Sequence, residues 1–445
     1  MTLIRSVSGV RGTAGIDITD DLAVSYGRAF AELATGEVVV GWDSRRGGDR
    51  LVDAVARGLR SGGVAVRLLG VVPTPTVGLT VRTGDFSGGV AVTASHNPET
   101  DNGLKFFSSR GTFLGADDVG RLFELADGPA LALREGPEAT SLEGAVDAHI
   151  ERVLASRYVD VESVRASRPR VALDCVNAAG SVILPLLLRE LGCDLIELST
   201  SAGGGFPRGA EPVPANLSAL SELVASENAH VGIACDPDAD RLALVDETGR
   251  PVGEEYTLAI SARTVLSITP GPVVANVSTS RMVEDVAAAF GQTVHRSAVG
   301  EINVVEKMLE VSAVVGGEGN GGVILPEVHP GRDAATAAGL VLTALASADA
   351  PLSDIVASIP SYVMIKRKLA FPRERASELP EMMAGLFPDA EQDLTDGAKC
   401  CWTDRWVHAR MSGTEPVLRL IAEARSSDAA EDLVEKTTRR LEGAN

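Results

Sequence analysis

Val38-Val39-Val40-Gly41-Trp42-Asp43-Ser44-Arg45 carries the pattern that decides the fold. The β-branched run reads as a buried strand and the next residues as a turn; Leu51, Val52, Val55 and Leu59 then mark one face of a helix. The same grammar returns at Val171-Ala172-Leu173-Asp174, ending in Asn177 and Gly180, and at Val273-Val274-Ala275-Asn276, ending in Ser280 and Arg281. Asp43, Asp174 and Asn276 lie 131 and 102 residues apart, a spacing suited to repeated domains and too long for solenoid repeats of roughly 20–50 residues.

Strands alternating with helical patterns predict α/β units with parallel sheets covered by helices. Around 359–373 the pattern changes to strands, a turn-rich loop and a final helix with Leu433, Val434 and Leu441, for which Asp428 and Glu431 read as a capping pair. A chain of 445 residues also exceeds what one core holds, roughly 250–300 residues. The expected architecture is three similar mixed α/β domains, at 1–150, 151–255 and 256–358, plus a smaller C-terminal α+β domain at 359–445.

Hydrophobic residues make up 45% of the chain and charged residues 23%, as in ordinary folded proteins. The net charge of −20 repels polyanions and argues against nucleic acid as a partner, so an anionic substrate must meet local clusters of arginine. The opening MTLIRSVSGVRG has no continuous apolar run, and the apolar stretch Ala334–Ala348 is too short to span a bilayer, so the expected location is cytoplasmic. The five cysteines form no CxxC pair and read as small buried hydrophobes.

Four polar loops carry the chemistry. Thr93-Ala94-Ser95-His96-Asn97-Pro98 follows the apolar Gly89-Val90-Ala91-Val92 and exposes a hydroxyl at a strand end. A nucleophile fits there, and a phosphate on it would need cationic support, but the hexapeptide alone reads more readily as an Asn-Pro turn. Adjacent side chains on extended backbone point apart and no GxSxG surrounds Ser95, which disfavours a Ser95–His96 hydrolase pair. Lys105, in Asn102-Gly103-Leu104-Lys105, stands where a chain reversal returns it toward the serine, as proton shuttle or phosphate partner.

Asp236-Pro237-Asp238-Ala239-Asp240-Arg241 lies between strand-like segments at 230–235 and 242–245. Carboxylates at i, i+2 and i+4 on extended backbone face one way and converge on a hard cation such as Mg²⁺. An EF-hand is rejected because Arg241 occupies the position of the turn glycine and the flanks are strands.

The third loop, Gly316-Gly317-Glu318-Gly319-Asn320-Gly321-Gly322, contains a formal GxGxxG at 317–322, yet Val323-Ile324-Leu325-Pro326 continues as strand where a dinucleotide fingerprint must open a helix. It reads better as a tight loop offering Glu318 and Asn320 to sugar hydroxyls. In the fourth, Arg410-Met411-Ser412-Gly413-Thr414-Glu415-Pro416 with Arg419 beyond, guanidinium groups and the Ser412, Gly413 and Thr414 donors suit phosphate. No Gly-Lys-Ser/Thr occurs, so a P-loop nucleotide cradle is absent from the sequence.

These loops, with the opening Ser8-Gly9-Val10-Arg11-Gly12-Thr13, resemble in order those of the α-D-phosphohexomutases, over essentially the whole chain. The resemblance implies four domains each giving one loop to a cleft, Ser95 as phosphoryl carrier, and Mg²⁺ held by Asp236, Asp238, Asp240 and a phosphoserine oxygen. Arg11, His96, Lys105 and Arg241 would surround that group, and the Arg410 loop would grip either phosphate of a sugar bisphosphate that turns around between two transfers. The substrate so implied is a small hexose phosphate. Many family members read GExSGH in the third loop, whereas this chain has Asn320 and Gly322, so a proton transfer by that histidine does not carry over. The segment 318–333, with Glu327, His329, Arg332 and Asp333, resembles the phosphoglucosamine mutase branch, making glucosamine phosphate the leading substrate and glucose and mannose phosphates the alternative.

Overall fold

The computed structural model describes residues 3–129, 134–412 and 417–442. Four sheets follow one another along the chain. In the first, Val38–Trp42 lies between the parallel strands Val66–Val71 and Gly88–Val92, and Asp101–Ser108 returns antiparallel beside Gly88–Val92. The strands Ile4–Ser6, Gly9–Thr13 and Thr140–Ser141 extend its edges to seven strands.

The second and third sheets repeat that core. Arg170–Asp174 lies between the parallel Asp194–Leu198 and Val231–Cys235, with Leu242–Asp246 returning antiparallel. Val273–Asn276 lies between Val294–Ser297 and Val315–Glu318, with Gly322–Leu325 returning and His329–Arg332 added outside. Numbered within each unit, the order is 2-1-3-4. The third and fourth strands form a hairpin, and its tip carries the serine, the aspartates or Glu318 respectively.

The end of the first strand repeats too. Asp43 Oδ1 accepts from Arg45 N at 3.1 Å, Asp174 Oδ1 from Val176 N at 2.8 Å and Asn276 Oδ1 from Ser278 N at 2.9 Å. An Asp or Asn side chain that binds the amide two residues on turns the chain out of the strand, which is why these three residues mark equivalent positions.

The helix Gly48–Ser61 buries Leu51, Val52, Val55 and Leu59 as the spacing predicts. Its Gly58 lies directly on the helix Asp20–Phe30: a Cβ there would sit 2.2 Å from the Val24 carbonyl oxygen, and one on Gly27 2.4 Å from that of Val55. Residue 150 falls inside the helix Ala145–Leu154, whose Ile150 and Val153 join the core of the second and third units. The helix Ala334–Ala348 is buried in the same core, capped by Asp333, and no described helix is long and apolar enough to cross a membrane.

The C-terminal sheet is antiparallel throughout, in the order Val363–Leu369, Leu418–Ala424, Trp406–Met411, Ala398–Cys401, Glu391–Asp393. Asp428 does not cap the final helix. The helix starts at Ser427, and the Ser426 hydroxyl accepts from Ala429 N at 3.3 Å, leaving Asp428 in the first turn. Of the cysteines, Cys175, Cys235 and Cys400 are buried, Cys193 and Cys401 half-buried, and all five are free thiols.

Candidate active site

Ser95 stands at the tip of the first hairpin with φ 49°, a left-handed conformation uncommon for a residue with a side chain. A buried clamp holds it. Arg45, 1% exposed, donates from Nη2 to the Ser95 carbonyl at 2.5 Å, from Nη1 to the Asp101 carbonyl at 2.8 Å and from Nε to Asp43 at 2.8 Å. Thr93 donates to Asp43 Oδ2, the oxygen that also takes Arg45 Nε, and accepts from Ser95 N at 2.9 Å. Strained backbone persists where its surroundings over-determine it. That bend also corrects the expectation that Ser95 and His96 point apart: the backbone is not extended there, and Ser95 Oγ lies 3.4 Å from His96 Nδ1.

The second hairpin brings Asp236 Oδ2 to 3.2 Å from Ser95 Oγ, the hydroxyl donating. Asp236, Asp238 and Asp240 are fully buried and offer oxygens within 4.8 Å of one another. They converge by a route other than the extended alternation expected: Ala239 has φ 52° and its amide donates to the Asp236 carbonyl, so a turn aims the carboxylates. Thr74 donates from Oγ1 to Asp238 Oδ2 at 2.7 Å and from its amide to the Asp238 carbonyl. Lys105, on the returning strand of the first unit, donates to Asp238 at 2.6 Å and Asp240 at 3.3 Å.

The residues fit a divalent cation. Asp238 Oδ1 and Asp240 Oδ1 are buried without a hydrogen-bond partner, which a protein normally avoids. Burial and the neighbouring Asp240 and Asp238 push Asp236 well above the usual carboxylate range, the behaviour of a cluster short of positive charge. Counting Glu301 and Glu318 with the three aspartates, five buried carboxylates face Lys105, Arg241 and Arg332. The formal shortfall is two charges.

Arg241 donates from Nη2 to His96 Nδ1 at 2.9 Å and from Nη1 to Glu211 at 3.1 Å. This arginine, burial and Arg11 together lower His96 to about 2, so the ring is a neutral acceptor. Burial opposes the charge on Lys105, yet Asp238 and Asp240 outweigh it and raise its pKa, keeping an ammonium. Arg11, on Gly9–Thr13, reaches Asn97 Oδ1 at 3.4 Å beside this cluster.

On the third hairpin, Glu318 Oε1 accepts from Asn276 Nδ2 at 2.7 Å and Gly300 N at 3.2 Å. Burial pushes Glu318 upward but Arg332 and the Asn276 bond hold it below the usual range. Asn320 Oδ1 accepts from Gly322 N at 3.2 Å and closes the hairpin, helped by Gly321 at φ 87°. Under this tip lies Glu255, raised by burial to about 8, with its carboxylate oxygens 2.1 Å from where a Cβ on Gly319 would sit.

In the fourth sheet Arg410 and Arg419 are direct cross-strand partners. Like charges directly opposite destabilise a sheet, and both Nε atoms are buried without a hydrogen-bond partner, with Asp396 3.8 Å from Arg410. Such an arrangement suits an anion. Arg373 Nη2 fixes the Ser412 carbonyl at 3.0 Å; Gly413 and Thr414 lie outside the described residues.

Sequence reasoning missed Arg45, Thr74, Glu255, Glu301 and Arg373. None stands in a polar loop motif, and their partners are as much as 164 residues away, as for Thr74 and Asp238. The one available signal is the Asp43-Ser44-Arg45 turn, which repeats at the equivalent strand end of each unit.

Four family models match in order: phosphoglucomutase/phosphomannomutase alpha/beta/alpha domain I at residues 3–127, domain II at 147–249, domain III at 253–362 and the C-terminal domain at 364–440. A Methanopyrus kandleri protein named probable phosphoglucosamine mutase is 37% identical over 433 residues, 96% of this chain and 95% of that one. A Thermococcus kodakarensis phosphoglucomutase/phosphomannomutase is 36% identical over 451 residues, 98% of each. The crystal structure of a phosphoglucomutase/phosphomannomutase family protein from Burkholderia thailandensis superposes with a TM-score of 0.85 at 28% identity, covering 99% of this chain and 97% of that one. With its four sheets, its serine beside a buried aspartate cluster and this similarity along its length, the chain belongs to the phosphoglucomutase/phosphomannomutase family and is a phosphohexomutase.

Proposed function

We propose that the protein interconverts glucosamine 6-phosphate and glucosamine 1-phosphate through a phosphorylated Ser95. The observation that carries the reading is the 3.2 Å approach of Ser95 Oγ to Asp236, at the edge of a buried cluster in which five carboxylates face three cations. Asp236, Asp238 and Asp240, with a phosphoserine oxygen, would hold Mg²⁺. Bound there, the cation supplies charge neutralisation for the transferring phosphoryl group.

The remaining work falls to side chains. The free sugar hydroxyl forms an O–P bond as the Ser95 Oγ–P bond breaks, its proton passing in net to the departing Ser95 Oγ, which gives a sugar bisphosphate and a free serine hydroxyl; after the bisphosphate turns around, the other phosphoryl group returns to Ser95 Oγ by the reverse exchange. Lys105, Arg241 and Arg11 face the phosphoryl oxygens, and neutral His96 orients Arg241. Lys105, bonded to Asp238 and Asp240 beside the serine, is a phosphate partner in this reading. Glu318 and Asn320 bind sugar hydroxyls or a 2-amino group, and Arg410, Ser412, Gly413, Thr414 and Arg419 grip the non-reacting phosphate. The same reading assigns one loop to each of the domains 1–150, 151–255, 256–358 and 359–445, and a cytoplasmic setting.

The glucosamine preference rests on the 318–333 segment, while the relatives' names divide between glucosamine, glucose and mannose phosphates. Initial rates for the three 6-phosphates at matched Mg²⁺ and bisphosphate activator decide it. Glucosamine 6-phosphate should show the highest kcat/KM, and a higher value for either other sugar overturns the preference. Ser95→Ala should remove both turnover and the phosphoryl mass from the intact protein; retained turnover would refute the carrier role.

A further inference from the structure

A Cβ added to Gly322 would lie 2.2 Å from Cδ of Arg332. Gly322 is fully buried and belongs to a regular strand, so no turn requires a glycine; its missing side chain is the passage through which Arg332 runs. At the end of that passage one guanidinium meets three buried carboxylates. Nε donates to Glu301 Oε2 at 2.9 Å, Nη1 to Glu318 Oε2 at 2.6 Å and Nη2 to Asp240 Oδ2 at 2.6 Å. The Arg332 amide adds Glu301 Oε1 at 3.3 Å.

We propose that Gly322 and Arg332 act as one device, in which Arg332 is a positioning residue that aims Glu318 at the sugar and ties the sugar hairpin to the aspartate hairpin. The geometry divides the labour between oxygens. Arg332 occupies Glu318 Oε2 while Asn276 and Gly300 occupy Oε1, so the carboxylate plane cannot rotate. Arg332 and Lys105 likewise occupy Asp240 Oδ2, which leaves Oδ1 without a hydrogen bond, 3.6 Å from Arg241 Nε. A planar fork of five donors serves three acceptors in fixed directions; a lysine ammonium carries the same charge but cannot hold all three. Because guanidinium does not give up its proton, the device orients groups and transfers none.

The inference rests on Glu318 contacting the sugar, and a double-mutant cycle separates the two ideas. Arg332→Lys and Glu318→Gln are made singly and together, and kcat/KM for glucosamine 6-phosphate is measured with Mg²⁺ saturating. Gly322→Ala, which changes no charge, is carried through the same cycle, so a folding failure of Arg332→Lys still leaves a reading. Each single variant should lose at least about tenfold, mainly in KM, and the double variants should lose no more than Glu318→Gln alone, the signature of residues acting through one another. Losses that multiply in both cycles, or wild-type kcat/KM in Arg332→Lys and Gly322→Ala beside an impaired Glu318→Gln, overturn the device. A silent Glu318→Gln overturns the sugar contact itself and the device with it.

Discussion

Asp238 shows how one side chain is divided between structure and chemistry. Its Oδ2 is committed to Thr74 and Lys105, while the buried Oδ1 has no donor. Asp238→Asn exchanges a charged ligand for a neutral one and leaves Lys105 with less compensation. Mg²⁺ affinity measured by calorimetry should fall by at least about tenfold, the scale on which even outer partners of a metal act. Unchanged affinity would make the aspartates structural. Arg410 is the corresponding residue on the phosphate side, half-buried opposite Arg419. Arg410→Ala should raise KM with little change in kcat, at a cost of about 2–5 kcal/mol for a desolvated charge pair losing one partner. A KM equal to that of the wild type would remove the clamp.

At the scale of elements, the helix pair of the first unit meets through backbone. Gly58→Ala would press a methyl group onto the Val24 carbonyl and the Arg28 amide at once, and neither is a flexible side-chain end. Overpacking of this kind costs about 1–3 kcal/mol, so the thermal midpoint should fall while Mg²⁺ affinity stays at the wild-type value; an unshifted midpoint would mean the helices part without cost. The helix Gly48–Ser61 was legible because buried strands and one-sided helices have distinct periods, and the three Asp or Asn turns because a short side chain must catch the chain at each strand exit. The aspartate cluster was legible in its residues and misread in its path, since alternate spacing on a strand and a turn through Ala239 both gather carboxylates. The clamp on Ser95 was illegible at its far end: the Asp43-Ser44-Arg45 turn marks where Arg45 starts, but the carbonyl it serves lies 50 residues on.

For the molecule as a whole, the docking of the C-terminal sheet is the informative feature. Lys399 crosses to the third unit, donating to the Val277 carbonyl at 2.7 Å with its ammonium 4.1 Å from the Trp406 ring centre, and Ser278 meets His408 at 3.3 Å. Burial, with Arg296 nearby, lowers Lys399 from 10.5 to about 8. The sign follows from proton counting: between these values the unfolded chain binds a proton that the folded one has released, so stability rises with pH through that window, by at most roughly 3 kcal/mol. Lys399→Met should abolish this rise, read as the difference in thermal midpoint between pH 7.5 and pH 9.5. An identical rise in the variant would show that other groups produce it.

The hairpins that carry the site hang on copies of one strand arrangement, and a hairpin tip has few packing duties toward its own sheet. In the function proposed above, sugar choice and phosphate chemistry sit on separate cassettes, and a graft of the third tip from another mutase would retune the first without disturbing the second. Arg332 sets one condition on such a graft. It reaches from the third cassette into the second, so a donor tip with any side chain at position 322 must bring its own residue 332 along.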